Sequence, residues 1–382
     1  MQQIYFDNGS TSFPKAPNVA EEMFNTIKNG CFNVNRGGYS GAYDLENKIF
    51  ETREKLCNLF NFNNPANVIF TNSITHSLNY VIKGLLKSGD HIIVSSMEHN
   101  AMIRPLVQAS QNGVEFDQAQ CNIDGTLDIA EVEKLIKPNT KAIMMLHASN
   151  VCGTVLPIKK VGELCKKHNL IFVVDSAQTA GVFPIDMEDM NIDILCFTGH
   201  KSLRGPQGIG GFLIKEHLID KVTPLIAGGT GSFSDSEVMP SAMPDRFEAG
   251  TMNIPGIIGL NTALTYLNEY GMANIAKEEE TITKAFLDGI KTISGIRIVG
   301  KQDLVDRAYI VSLDFLEDDN ANVAYRLEQE YGVMTRCGLH CAPRAHKTLN
   351  TFPYGTVRFA FSHFNTLDEV DICIDGIKAI LR

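Results

Sequence analysis

No stretch of this 382-residue chain approaches 18 consecutive apolar residues, so the sequence offers no candidate for a membrane-spanning helix. Its opening, "MQQIYFDNGS", lacks both a basic segment and a long apolar one, and no secretory leader is expected. A basic excess is missing too. Lys and Arg number 34 against 44 Asp and Glu, a formal net charge of −10. That balance argues against nucleic acid or an anionic membrane as partner. No internal repeat or low-complexity block interrupts the chain. A disulfide framework is also absent: the nine cysteines are odd in number and scattered among core-forming residues. They read as reduced thiols of a cytoplasmic protein.

What is present is ordinary globular composition, 44% apolar and 20% charged, with length for two or three cores of roughly 150 residues each. From about residue 67 to 214, short apolar runs alternate with stretches of helical period. "NVIFT", "HIIVSS", "KAIMMLHAS", "LIFVVDSA" and "DILCFTGHKS" read as buried strands. Residues 74–89, 100–113, 128–138 and 158–169 read as helices, several closed by Gly or Asn. Such alternation predicts an α/β fold, a mostly parallel sheet with helices on both faces. Ligands of such sheets bind beyond the carboxyl ends of the strands. Thr71, Glu98 to Asn100, Asn150, Asp175 and Lys201 all follow apolar runs there. After about residue 255 two long helices give way to shorter strands and helices, a smaller α+β domain that "QIYFDNGST" could join as an edge strand. The expected boundaries are 15–255 for a large domain, and 1–14 with 256–382 for a small one.

Three stretches carry chemistry. In "CFTGHKSLRGPQGIGG" a lysine follows a strand end, flanked by Thr198 and His200, with glycines that would let backbone approach a bulky group. A lone lysine is usually solvated. One at a partly buried strand end can lose its charge and form a Schiff base, which suggests pyridoxal phosphate on Lys201. In "FVVDSAQTAG", Asp175 ends an apolar strand. It either caps the next turn or meets a cation, and a pyridinium nitrogen is the partner that Lys201 suggests. Gln178 could reach the ring's phenolic oxygen. In "FTNSITHSLNYV" a Ser/Thr turn opens a helix, either by ordinary capping or as a phosphate cup from Ser73 to His76.

The order "TNSITHSLN", "EHNA", "SNVCGT", "DSAQTAG", "TGHKSLRGPQGIG", "RFEAGTMN" and "RCGLHCAP" resembles the class V aminotransferase branch of fold-type I pyridoxal-phosphate enzymes. Within it the chain resembles the cysteine desulfurase and selenocysteine lyase family, nearest its Suf-type group. The resemblance implies the type I transferase fold and the cofactor pyridoxal 5'-phosphate. It implies a Schiff base at Lys201, His99 stacked on the pyridine, and Asp175 and Gln178 on its nitrogen and phenolic oxygen. Thr75, His76, Thr198 and His200 match phosphate contacts. Gly250 and Thr251 match a segment reaching the other subunit's phosphate, hence a homodimer. Asn150 and Arg358 match the grip on the substrate carboxylate, and Arg336 is a second arginine near the entrance. The activity implied is removal of sulfur from L-cysteine, giving L-alanine and a persulfide that passes to an acceptor protein, as in iron–sulfur cluster assembly. Alternatives are a selenocysteine lyase acting on L-selenocysteine, or another class V lyase or transaminase. The relatives often differ at Tyr39, Ser73 and Cys337, which leaves substrate preference and the shape of the entrance open.

That leaves "TRCGLHCAPRAH", residues 335–346. Zinc would need a second ligand pair at defined spacing, and none is seen, so no metal is expected. An inert core thiol fits Cys57, Cys165, Cys196 and Cys373 better than Cys341, which sits in a polar loop near Arg336, His340 and Arg344. Cationic neighbours favour the thiolate. With pyridoxal phosphate on Lys201, Cys341 reads as the nucleophile.

Overall fold

The computed structural model describes residues 3–34 and 37–382. A seven-stranded sheet spans the middle of the chain. Its spatial order is Val68–Thr71, Gly210–Ile214, Ile194–Thr198, Ile171–Asp175, Thr140–Leu146, His91–Ser95 and Glu115–Ala119. Gly210–Ile214 runs antiparallel to both neighbours, and the other adjacent pairs are parallel. The five runs read as strands all lie in this sheet. Two members were not legible: Glu115–Ala119 is an edge strand of mixed polarity, and Gly210–Ile214 begins with two glycines. Those glycines serve the sheet rather than a bulky ligand. A Cβ on Gly211 would lie 2.3 Å from the Ile69 carbonyl oxygen, and one on Gly210 2.8 Å from that of Phe197.

Helices cover both faces, as such a sheet requires. On one face Ile69, Ile92, Val94, Met144 and Val173 pack beneath the helices Ile74–Leu85 and Asn100–Ser110. On the other, Ile93, Met145, Val174 and Leu195 meet the helices Ser40–Phe60, Ile158–His168 and Ile254–Tyr270. The expected helix over 128–138 is shorter, Ile129–Glu133. Pro138 disfavours helical backbone at the residue before it, and the chain turns there into the strand at Thr140. The helices Val19–Lys28 and Ser40–Phe60 precede the strand–helix alternation and were not anticipated.

The C-terminal third builds an antiparallel sheet ordered Arg336–Gly338, Thr356–Ala360, Ile310–Phe315, Ile296–Val299. It packs on the helices Met272–Ile290 and Leu367–Ile380, with Phe286, Leu313, Phe359 and Ile377 at its core. The N-terminal strand Ile4–Tyr5 pairs in parallel with Val333–Met334. Asp7 bridges to Ala360, so residues 7–12 run along the mouth between the two sheets. Among the described residues no helix is long and apolar enough to cross a membrane.

Candidate functional site

Three strand ends deliver polar side chains to one place. Asp175 closes its strand in the buried interior, where its carboxylate accepts from the Ala177 N–H at 2.9 Å. Burial pushes its pKa up, and the charge of Lys201 pulls it back only in part. Lys201 follows the strand Ile194–Thr198. Burial lowers its pKa to about 8, helped by Arg358 and Arg336 and opposed by Asp175 and Asp7. Its amine therefore carries a substantial neutral fraction near pH 8, as a nucleophilic lysine must. Beside it, Thr198 Oγ1 and His200 Nδ1 are buried and have no hydrogen-bond partner among the described residues. Burial and the neighbouring lysines hold His200 neutral, with a pKa near 4.

His99 caps the helix Asn100–Ser110: its Nδ1 accepts from the Ala101 N–H at 3.0 Å. The ring proton therefore sits on Nε2. Burial, Lys201, Arg336 and Arg358 keep the ring neutral, with a pKa of about 3. Just before it, Glu98 is fully buried. Its carboxyl accepts from Ser95 Oγ at 2.5 Å and from the Leu146 N–H at 3.1 Å. Leu146 is the register partner of Asp175, so Glu98 finishes the ladder where the strand His91–Ser95 stops.

The residues read as phosphate contacts divide. The helix Ile74–Leu85 starts at Ser73, whose hydroxyl accepts from the His76 N–H. Thr75 lines a cavity of about 510 Å³ together with His99, Arg104 and Cys341. His76 lines a different one, with Asn72, Thr251 and Asn253. Gly250 and Thr251 are exposed. Gln178 donates from Nε2 to the Gly9 carbonyl at 3.0 Å, which engages the nitrogen expected to reach a ligand.

The C-terminal sheet contributes the arginines. Arg336 and Arg358 are direct register partners, and antiparallel pairing puts their side chains on one face. Arg358 is 1% exposed and donates to Asp7 Oδ1 at 2.7 Å and to the Asn150 carbonyl at 3.0 Å, while its Nε has no partner among the described residues. Asn150 donates from Nδ2 to the His340 carbonyl at 2.7 Å, and its Oδ1 is also unpartnered among the described residues. Arg336 reaches within 3.9 Å of Cys341 Sγ.

Cys341 is exposed, whereas Cys57, Cys165, Cys196 and Cys373 are buried. His340 and Cys341 both adopt left-handed backbone, φ 46° and 57°, a strained arrangement for two consecutive non-glycine residues. The loop is held there by the start of the helix Asn100–Ser110 and by the strand Thr356–Ala360. The Asn100 N–H donates to the Cys341 carbonyl at 2.8 Å, and the His340 ring pairs with Thr356 Oγ1 at 3.0 Å. Cys337 points the other way and packs against the core of the C-terminal sheet, so it does not shape the entrance. Tyr39 is exposed, edge-on to Phe32 at 5.2 Å. Among the described residues no cluster of three or more His, Cys, Asp or Glu could hold a metal ion.

Asp7, Ser10 and Glu98 join this site without a motif to announce the first two. The stretch "DNGS" reads only as an edge strand, and its contact with Arg358 spans some 350 residues of sequence.

The family model for aminotransferase class-V matches residues 4–373. A probable cysteine desulfurase of Pyrococcus abyssi is 33% identical over 99% of this chain and 94% of its own length. The apo structure of cysteine desulfurase from Thermococcus onnurineus NA1 superposes with a TM-score of 0.93 at 31% identity, covering 99% of this chain and 94% of that one. The cysteine desulfurase CsdA of Escherichia coli, solved with an S-sulfonic acid, gives 0.89 at 28% identity, with the same coverage.

Proposed function

The chain belongs to the aminotransferase class-V family, and on that premise we propose that it is a pyridoxal-phosphate-dependent cysteine desulfurase with Cys341 as its sulfur-accepting nucleophile. The observation that carries the proposal is the meeting of Cys341 and His99 in one cavity while Arg336 links Cys341 to the Lys201 region.

The residues present fit the cofactor. A buried carboxylate at Asp175 calls for a cationic partner such as a pyridinium. The unpartnered Thr198 Oγ1 and His200 Nδ1, together with the N-terminus of the helix Ile74–Leu85, suit a phosphate. When bound at Lys201 the cofactor supplies an electron sink for proton loss at the substrate Cα.

The chain's own residues do the rest. Among the described residues, Arg358 Nε and Asn150 Oδ1 have no partner at the arginine pair. Arg358 binds the α-carboxylate of L-cysteine, and Asn150 fixes the orientation. Lys201 Nζ takes the Cα proton; near its pKa of about 8 the amine both accepts and returns a proton at working pH. With the cofactor bound, Asp175 would hold its ring nitrogen protonated, and neutral His99 would lie beside the ring. The Cys341 thiolate then attacks the substrate sulfur. The Cβ–S bond breaks, its electrons return toward the Cβ of the departing product, and Cys341 is left as a persulfide with L-alanine released after protonation.

We take 15–255 as the cofactor-binding domain, and 1–14 with 256–382 as the small one. Exposed Phe24, Ile27, Tyr43 and Phe50 on the first two helices, with exposed Gly250 and Thr251, support a homodimer. Sulfur then passes to an acceptor protein for cluster or thio-cofactor assembly in the cytoplasm. The test is purified protein with L-cysteine and a reductant, measuring sulfide and alanine for wild type, Lys201→Ala and Cys341→Ala. Both products from wild type and neither from the variants supports the proposal. No product from wild type ends it, and full activity in Cys341→Ala removes the nucleophile.

A further inference from the structure

Two arginines placed directly opposite each other on one sheet face repel, yet Arg336 and Arg358 hold that position. One hydroxyl joins them. Ser10 Oγ accepts from Arg358 Nη2 at 2.6 Å and from Arg336 Nη1 at 2.8 Å. It donates its single proton to Asp7 Oδ1 at 2.8 Å. A hydroxyl has one donor and two acceptor sites, and all three are used. Arg358 is anchored independently by Asp7 and the Asn150 carbonyl. Arg336 is not. Among the described residues, its guanidinium has besides Ser10 only the 3.9 Å contact with Cys341 Sγ.

We infer that Ser10 is a positioning residue of this site: its hydroxyl ties the carboxylate-binding Arg358 to Arg336 and so keeps a positive charge beside Cys341. The inference rests on the desulfurase reading for its meaning but not for its geometry. Without the hydroxyl, Arg336 loses its 2.8 Å anchor and is pushed outward by Arg358. The cationic charge at the thiol weakens, and so does the field that receives a substrate carboxylate. A threonine retains the oxygen at the same place.

The experiment uses holoenzyme and two alkylating probes, anionic iodoacetate and neutral iodoacetamide, with labelling of Cys341 followed by peptide mapping. A charge held at the thiol favours the anion. Arg336→Ala should lower the iodoacetate-to-iodoacetamide rate ratio at Cys341 by about fivefold, the effect of one unit charge at about 4 Å in water, and Ser10→Ala should lower it in the same direction by up to that amount. Ser10→Ala should also raise KM for L-cysteine about threefold or more by the same field argument, and Ser10→Thr should keep both wild-type values. A wild-type ratio in Ser10→Ala overturns the inference, whatever KM does. If wild-type protein forms no alanine, the desulfurase reading fails, while the ratio still reports whether Ser10 holds Arg336 at the thiol.

Discussion

Glu98 makes a stability prediction whose sign is opposite to that of most carboxylates. Two effects compete at its side chain. The short bond from Ser95 and the Leu146 N–H favour the anion, while complete burial and the nearby Asp175 favour the acid. Burial wins, and its pKa rises from 4.5 to about 8. The folded state therefore holds a proton that the unfolded chain releases above pH 4.5. Stability from this group is complete below about pH 4.5, declines as pH rises, and levels off above about pH 8. At 1.36 kcal/mol per pKa unit, the decline amounts to about 5 kcal/mol as an upper figure. Glu98→Gln imitates the protonated acid, since its amide oxygen can accept the same two bonds and never ionises. Urea unfolding of both proteins at pH 5 and pH 9 isolates the contribution. The variant should gain on wild type by several kcal/mol between the two pH values. Parallel pH profiles for the two proteins would refute the reasoning, because they would mean that Glu98 ionises in the fold as it does in water.

Other perturbations follow from the same contacts. Arg53 and Glu248 form a buried ion pair at 2.7 Å, with Glu248 also accepting from the Phe70 N–H. Arg53→Ala strands that carboxylate and should cost about 3–5 kcal/mol, read as a lower urea midpoint. Arg358→Lys removes the Nε–H offered to the proposed substrate carboxylate, along with the fork held by Asp7, Ser10 and the Asn150 carbonyl, and should raise KM for L-cysteine by about tenfold or more, one missing charge-assisted bond of roughly 1.5–3 kcal/mol. A KM within twofold of wild type would take Arg358 out of that role.

The parallel sheet was legible because its strands are continuous apolar runs separated by helices with clear stops. Legibility failed where the pattern has another cause. Gly210 and Gly211 read as a ligand-approach loop, yet their missing side chains let strand backbone and the Phe197 ring come close. Glu115–Ala119 is an edge strand with exposed and half-buried residues, so periodicity does not mark it. In the site, Lys201, Asp175 and His99 stand at strand ends and could be found by position. Asp7 and Ser10 could not, because their partners Arg336 and Arg358 are distant in sequence and only the pairing of Arg336–Gly338 with Thr356–Ala360 brings those arginines together. Cys337 and Cys341 are four residues apart and chemically alike. The fold separates them: Cys337 lies in the strand Arg336–Gly338 and packs on the core, whereas the left-handed backbone at His340 and Cys341 turns the chain beyond that strand and leaves Cys341 in the cavity with His99.

In the proposed reaction, sulfur moves from L-cysteine to one thiol. Holoenzyme treated with one equivalent of L-cysteine, without reductant, can be digested and each cysteine peptide weighed. The account predicts one additional sulfur atom on the Cys341 peptide and on no other, and none at all in Lys201→Ala. Additional sulfur on Cys31 or Cys337 with Cys341 unmodified, or alanine formed with every thiol unchanged, would contradict it.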